Sequence, residues 1–262
     1  MISHPSNVDL VRLDISGGRT VLDQITESLL TEFCSEYDLS DLVESKKFEH
    51  FTTHLVLGRE QSETFSTHDF VVGDGASSGG GDTGIDSIAI LVNGSLVTDI
   101  DELEEQAEIA GFLDVQFVFI QSETSAGFDG AKILTFGAGV VDFFRTTPAL
   151  QRNSKVTEAA AIRQAIYAKG SKFKKGNPVC ELFYVTTGKV IADATLDARI
   201  GVVVNDLETT GLFRSVHCGR LGKDELQRMY QRTKNSISAT FEFTKKVTVL
   251  AGIEGVSQAY SG

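Results

Sequence analysis

The sequence predicts an α/β protein in which helices flank a mixed central sheet. Strand and helix patterns alternate along most of the 262 residues, which is typical of a sheet covered on both faces. The apolar run at 115–120, VQFVFI, has the composition of a central strand that is buried on both sides. Asn93-Gly94 joins two extended segments and predicts a tight β-hairpin, because both residues accept the left-handed backbone of a two-residue turn.

The first third of the chain predicts two helices and a long loop. Residues 21–37 and 39–57 place apolar side chains at helical spacing. Ser40 or Asp41 is expected to cap the second of these helices. Residues 58–84 are polar and increasingly rich in glycine, so we expect a loop there.

The remaining elements follow from the same periodicities. The hairpin occupies 85–99 and is followed by an acidic helix at 101–110, whose carboxylates favour the positive end of the helix dipole. Elsewhere we expect strands at 8–16, 115–120, 180–185, 213–218 and 239–249, and helices at 128–144, 156–168, 192–207 and 223–233. The chain stops soon after the last of these strands, which suggests a fragment of a longer protein.

Charge is distributed unevenly. The net charge of −12 argues against a protein that binds nucleic acid with its whole surface. Residues 1–144 carry 26 acidic and 6 basic side chains, whereas residues 145–175 carry 1 acidic and 8 basic ones. This basic segment, with Lys172, Lys174 and Lys175, is a candidate for contact with phosphates, and a solvated helix face is the alternative.

Cysteine and histidine spacing gives no zinc site. Cys34, Cys180 and Cys218 lie far apart, so we expect buried reduced thiols. His50 and His54 are four residues apart on a predicted helix, and without a third ligand we expect an exposed pair. The sequence has neither a membrane-spanning apolar run nor a leader pattern, so a cytoplasmic location is expected.

Four side chains at the ends of predicted elements form a candidate site. Glu49 lies on the second helix, Asp86 at the start of the hairpin, and Gln121 and Glu123 at the end of the central strand. Gln121 and Glu123 are two residues apart and therefore share a face. Oxygen ligands of this kind suit Mg²⁺, and a metal held by Asp86, Gln121 and Glu123 would assist hydrolysis of a phosphodiester.

These residues carry a resemblance to a known family. FEHF, then GDTGID, then an apolar hairpin and FIQSET resemble the PD-(D/E)xK nuclease superfamily in its Mrr-like form. More narrowly, GGGDTGIDSIAILVNG, LDVQFVFIQSETS and FDGAKILTFGAGVVDFF resemble the nuclease-like region of the abortive infection phage resistance (AIPR) family, best over 45–147. The resemblance implies a restriction-endonuclease-like αβββαβ core, dependence on Mg²⁺ (or Mn²⁺), a DNA or RNA substrate, and a role in anti-phage defence.

The resemblance also assigns roles to individual residues. It makes Glu49 the helical acid, Asp86 the metal-binding aspartate and Gln121 the first position of (Q/E)-x-K, while Glu123 stands where the pattern has lysine. Three consequences are open for this charge reversal: an inactive form, which we favour from the sequence; a Glu123 that binds metal or acts as base; or a lysine supplied by Lys132.

A domain division and two further functions complete the expectations. We assign a nuclease-like domain with a helical N-terminal extension to 1–235, and the truncated start of a C-terminal region to 236–262. The alternatives to catalysis are a silent nucleic-acid-binding module or a dimerisation module of the same fold. Helix 136–144 offers the aromatic contact for a homodimer, although a core stripe is the commoner use of such residues.

Overall fold

A computed structural model describes residues 22–59, 64–73 and 83–234 of the chain. The described part is α/β, as expected, with a five-stranded mixed sheet. Its helices are α1 (Gln24–Glu36), α2 (Glu44–Leu57), α3 (Ile100–Ala110), α4 (Gly130–Phe144), α5 (Ser154–Ala168), α6 (Ala194–Glu208) and α7 (Lys223–Lys234). Its strands are β1 (Ser87–Val92), β2 (Ser95–Leu96), β3 (Val115–Glu123), β4 (Val179–Thr186) and β5 (Ser215–Leu221). The strands predicted at 8–16 and 239–249 lie outside the described residues.

The sheet has the order β2-β1-β3-β4-β5. Strand β1 is antiparallel to both β2 and β3, whereas β3, β4 and β5 run parallel to one another. The carboxyl ends of β3, β4 and β5 therefore lie at the same edge as the amino end of β1. The side chains that precede β1 and those that end β3 meet at this edge.

The two faces of the sheet bury separate apolar clusters. One face packs against α3, α4, α5 and α6, and the other against α1, α2 and α7. Successive residues of β3 point to opposite faces, and Phe117 and Val118 are both buried, as expected for a central strand. Phe136 and Phe143 of α4 are also buried, so the aromatic helix fills the core. In the described part of the chain, no helix has both the length and the apolar character needed to cross a membrane.

The Asn93-Gly94 hairpin is confirmed. Asn93 has φ of 54° and Gly94 has φ of 89°, the left-handed values that a two-residue turn requires. The Asn93 side chain also donates to the Phe112 carbonyl at 3.0 Å and accepts from the Asp114 backbone N–H at 2.9 Å. These hydrogen bonds hold the turn against the residues that precede β3.

Several boundaries differ from the predictions. Helix α2 begins at Glu44, so Ser40 and Asp41 precede it and do not cap it. The reason is a turn: Asp38 has φ of 56°, and the Leu39 N–H closes back on the Cys34 carbonyl at 2.9 Å. Strand β5 begins and ends later in the chain than predicted, and β3 continues through Glu123. Both strands pair with β4 along nearly its whole length.

Hydrogen bonds join the loops that follow the carboxyl ends of the strands. The Thr187 hydroxyl donates to the Thr124 carbonyl at 2.9 Å, and the Lys223 N–H donates to the Gly188 carbonyl at 2.8 Å. A Cβ at Gly188 would lie 1.7 Å from the Ala126 carbonyl oxygen. Only glycine allows these backbones to approach so closely.

Gly188→Ala is expected to lower the free energy of unfolding by about 2 to 3 kcal/mol, the upper part of the range for overpacking. The matched control is Gly201→Ala, because Gly201 lies on α6 with open space around its Cβ position. This control should raise stability by about 0.5 to 1 kcal/mol through helix propensity. Urea denaturation measures both, and equal midpoints for the two variants would contradict the close approach.

Candidate active site

Asp86 lies at the edge where β1 begins and β3 ends. Its backbone N–H donates to the Ile120 carbonyl at 2.9 Å, which continues the antiparallel ladder and places Asp86 opposite Gln121. The turn before Asp86 packs on α4, where a Cβ at Gly139 would lie 2.0 Å from the Thr83 carbonyl oxygen. Glycine in the interior of α4 therefore lets this turn sit against the helix.

The carboxylate of Asp86 is held by β3. Its Oδ2 accepts from the Ser122 backbone N–H at 2.6 Å and from the Ser122 hydroxyl at 3.0 Å. Burial, and then the negative charge of Glu49, raise the pKa of Asp86 to about 7, although the Ser122 hydrogen bonds and Lys46 oppose the rise. A cation placed beside Asp86 would relieve this unfavourable charge.

Glu49 reaches the same place from α2. The Thr53 and Ser87 hydroxyls are 2.6 Å apart, so α2 is joined to β1 one residue beyond Asp86. The buried Glu49 carboxylate accepts from Lys46 Nζ at 2.6 Å. A Cβ at Gly73 would lie 2.2 Å from that nitrogen, so the glycine leaves room for the ammonium group. Lys46 thus supplies positive charge beside the two carboxylates.

Gln121 and Tyr184 face the site from two neighbouring strands. Gln121 lies opposite Tyr184 in the parallel register, so their side chains share one face of the sheet. Gln121 Oε1 is buried and has no hydrogen-bond partner among the described residues, whereas the Tyr184 hydroxyl is buried beside the Asp129 backbone N–H. Burial, and then the charge of Glu123, raise the pKa of Tyr184 above its usual range. A buried polar atom without a hydrogen-bond partner raises the free energy of the folded protein, and a bound ligand or ion would supply the missing partner.

Glu123 pairs with Lys132. Both Gln121 and Glu123 lie within β3 on the same face, as their spacing predicts. Lys132 Nζ, in the first turn of α4, is 2.6 Å from Glu123 Oε1. The Glu123 carboxylate is therefore neutralised by an ammonium group from the next helix.

The donor set agrees with a hard cation such as Mg²⁺. Asp86 and Glu49 provide carboxylates, and Gln121 provides an unpartnered amide oxygen. Mg²⁺ usually takes one or two carboxylates and fills its other positions with water and phosphate. Among the described residues, no three His, Cys, Asp or Glu side chains are grouped so as to hold a metal ion. Glu123, the third predicted ligand, is engaged by Lys132.

The predicted phosphate-binding lysines lie at the other end of the sheet. Lys172 Nζ donates to the Ala107 carbonyl at 2.9 Å, and Lys175 pairs with Asp114 at 2.9 Å, while Lys174 is exposed. Asp114 precedes β3, so about 26 Å of strand separates this end from Glu123. The structure brings Lys132 to the site but does not bring the other three lysines there.

The prediction of an exposed histidine pair is wrong. His50 is fully buried, and its Nδ1 is 2.7 Å from the Thr67 hydroxyl. His54 is partly buried among aromatic rings. Both side chains face the protein because α2 is covered along most of its length. The three cysteines are free and buried, as expected.

Sequence reasoning missed three residues of the site: Lys46, Ser122 and Tyr184. The (i, i+3) spacing of Lys46 and Glu49 on a predicted helix was a usable signal. Ser122 sits between the two motif positions, but its contact with Asp86 depends on the antiparallel register. Tyr184 had no local signal, because its place follows from the pairing of β4 with β3.

Comparison of the chain with protein-family models, with curated proteins and with solved structures gives no match. The residues at this edge of the sheet are therefore the only basis for a functional proposal. They combine a buried acid pair, an unpartnered amide oxygen and a lysine that projects from an adjacent helix.

Proposed function

We propose that this chain is a divalent-metal-dependent nuclease domain that hydrolyses phosphodiester bonds of DNA. The supporting observation is the meeting of Asp86 with Gln121, whose buried Oε1 has no partner among the described residues, at adjoining ends of antiparallel strands. A restriction-endonuclease-like core and a role in anti-phage abortive infection, as in the AIPR family, are part of the proposal.

The order of elements supports this proposal. Helix α2, strands β1, β2 and β3, helix α4 and strand β4 follow the αβββαβ sequence, with α3 inserted before β3 and α5 before β4. The motif residues fall on the elements where the resemblance expects them: Glu49 on α2, Asp86 before β1 and Gln121 near the end of β3. This agreement involves three separate elements.

In the proposed site, Asp86 and Gln121 hold Mg²⁺ (or Mn²⁺), with Glu49 beside them. The bound ion would polarise the phosphodiester and lower the pKa of a coordinated water. Ser122 fixes the direction of the Asp86 carboxylate through two hydrogen bonds to one oxygen.

In this proposal, Lys132 supplies the ammonium group that the motif lysine would supply from position 123. Its ammonium group is held by Glu123, and half of its side chain is exposed, at 51%. A positive charge held in place stabilises the negative charge that develops on phosphate in the transition state. Of the three consequences considered for Glu123, the ion pair supports the supply of a lysine by Lys132.

The alternatives to catalysis have less support. Lys172 and Lys175 are engaged within the chain, and the aromatic side chains of α4 are buried. Neither observation favours a nucleic-acid-binding module based on the basic segment or a dimer based on α4.

The test is cleavage of a supercoiled plasmid, a linear duplex and an RNA of matching sequence by the purified chain with Mg²⁺ and with EDTA. We expect cleavage of DNA that requires Mg²⁺ or Mn²⁺ and stops in EDTA. Cleavage of RNA alone would overturn the proposed substrate. An absence of cleavage of all three, with either metal, would overturn the proposed activity.

Lys46→Met is expected to tighten Mn²⁺ binding about tenfold, which corresponds to about 1.4 kcal/mol. The reason is that the Lys46 ammonium group competes with a metal for Glu49 and repels a cation near Asp86. Lys47→Met is the matched control, since Lys47 is the next residue along the helix. Calorimetric titration with Mn²⁺ measures both variants, and unchanged affinity in Lys46→Met would contradict the competition.

A further inference from the structure

Arg199 of α6 lies against the first residue of α4. A Cβ at Gly130 would lie 2.1 Å from Arg199 Nη1, so the absence of a side chain there leaves room for the guanidinium group. One turn further along α6, Val203 packs in the same way on Gly137, where a Cβ would lie 2.3 Å from its Cγ2. Residues four apart share a face of a helix, so the two contacts belong to one helix interface. This interface places Arg199 beside the first turn of α4.

Arg199 has no protein partner in the described part of the chain. It forms no hydrogen bond and no ion pair with the described residues, whereas Arg220 nearby pairs with Asp197 at 2.8 Å. The Asp129 carboxylate, which caps α4, accepts from the Ala131 N–H at 2.7 Å and forms no ion pair with Arg199. The guanidinium group is partly buried and carries five N–H donors. It therefore loses hydration without gaining a hydrogen bond, and an anion would supply the missing acceptor.

This guanidinium group lies at the border of the candidate active site. Lys132, in the same first turn of α4, pairs with Glu123 at the end of β3. Gly130 and Lys132 are two residues apart, which is about 200° around a helix, so Arg199 and Lys132 flank the turn from different sides. A strand that has its scissile phosphate near Lys132 and crosses this turn brings another of its phosphates to Arg199.

We infer that Arg199 binds a second phosphate of the nucleic-acid strand, beside the one that is cleaved. The inference rests on the proposed nuclease function, since that function places the strand at this edge of the sheet. The planar guanidinium group can donate two parallel hydrogen bonds to the oxygens of one phosphate, which an ammonium group cannot do. Because this phosphate does not react, the contact is the same in the bound substrate and in the transition state. Arg199 therefore contributes to substrate binding and not to the chemical step.

The test is binding of a fluorescently labelled DNA duplex by the full chain, measured by anisotropy in EDTA at several salt concentrations. We expect Arg199→Met to weaken binding about tenfold. The same variant should reduce the slope of log K against log[salt] by about one, the contribution of a single phosphate contact. Arg199→Lys keeps the charge but loses the paired donors, so we expect an unchanged slope and a smaller loss of affinity.

Arg232→Met is the matched control. Arg232 is exposed in the last turn of α7, which packs on the other face of the sheet. This variant should bind DNA as the unaltered chain does. In a cleavage assay with Mg²⁺, Arg199→Met should raise KM and leave kcat unchanged, because it removes an interaction common to the ground state and the transition state.

Binding in EDTA separates this inference from the nuclease proposal. The inference is overturned if Arg199→Met has the affinity and salt slope of Arg232→Met, whether or not the chain cleaves DNA. It is also overturned if the unaltered chain does not bind the duplex, or if Arg199→Met lowers kcat and leaves KM unchanged. A chain that binds DNA through Arg199 but does not cleave it with Mg²⁺ or Mn²⁺ supports the phosphate contact and overturns the nuclease proposal alone.

Discussion

Asp86→Asn is expected to abolish Mg²⁺-dependent DNA cleavage and, at the same time, to stabilise the metal-free protein. In the proposed site Asp86 holds the ion, so its loss should reduce cleavage by about 10³-fold, the upper end of the range for removal of one electrostatic contact at a reaction centre. The gain in stability has a separate cause. Asparagine removes the charge that burial and Glu49 make unfavourable, and its carbonyl oxygen still accepts from Ser122.

The stability gain should depend on pH in a defined direction. The pKa of Asp86 is raised to about 7, so the folded protein binds this proton more tightly than the unfolded chain does. The charge therefore lowers stability progressively as pH rises from about 4 to about 7. In EDTA, Asp86→Asn should match the unaltered chain near pH 4 and exceed it above pH 7, by at least about 1.4 kcal/mol, the value of one pKa unit.

Asp114→Asn is the matched control, because the same substitution there should have the opposite sign. Burial raises the pKa of Asp114, but hydrogen bonds from Lys175 and Arg214 outweigh burial and lower it. Removal of that charge should therefore destabilise the protein and leave cleavage intact. Thermal unfolding in EDTA at several pH values, beside a plasmid assay in Mg²⁺, measures both effects. An Asp86→Asn variant that cleaves normally would exclude Asp86 from the site.

Local patterns in the sequence were sufficient for elements whose causes are local. The hairpin follows from Asn93-Gly94, and the central strand follows from a continuous apolar run that β3 extends through Glu123. The shared face of Gln121 and Glu123 needs only the two-residue period of a strand. These features depend on neighbours in the chain.

Features that depend on tertiary pairing were missed. Tyr184 reaches Gln121 through the parallel register of β4 with β3, and no local pattern encodes that register. The start of α2 shifted to Glu44 because the Leu39 N–H closes a turn on Cys34. The sequence of α2 alone predicts His54 in solvent. The rings that cover it come from α1 and from the loop after α2, and the local pattern does not indicate either contact.

The basic segment shows the limit of reasoning from charge alone. Its clustering in the sequence suggested one phosphate-binding surface, yet Lys172 caps the end of α3 and Lys175 pairs with Asp114. Lys132 stood alone in an acidic region, yet it reaches the candidate site. Its position follows from Asp129, which caps α4 and starts the helix two residues before Lys132.

Lys132→Met is expected to reduce DNA cleavage about 100-fold, because the substrate phosphate then meets the unpaired charge of Glu123. The effect should appear mainly in kcat, since a charge that stabilises the transition state acts on the chemical step. Stability should change by less than about 1 kcal/mol, because the pair is partly exposed, with side chains 51% and 20% accessible. Lys174→Met is the matched control and should cleave normally, since Lys174 is exposed beyond the far end of β3.

The decisive variant moves the lysine back onto the strand. Glu123→Lys combined with Lys132→Met places an ammonium group at the motif position and removes the one on α4. If Lys132 substitutes for the motif lysine, the double variant should recover most of the cleavage that Lys132→Met loses. Recovery from a second substitution distinguishes this role from a structural one, because loss of the ion pair is common to both variants. A double variant as poor as Lys132→Met, or a Lys132→Met protein with normal kcat, would show that charge at this position does not serve the reaction.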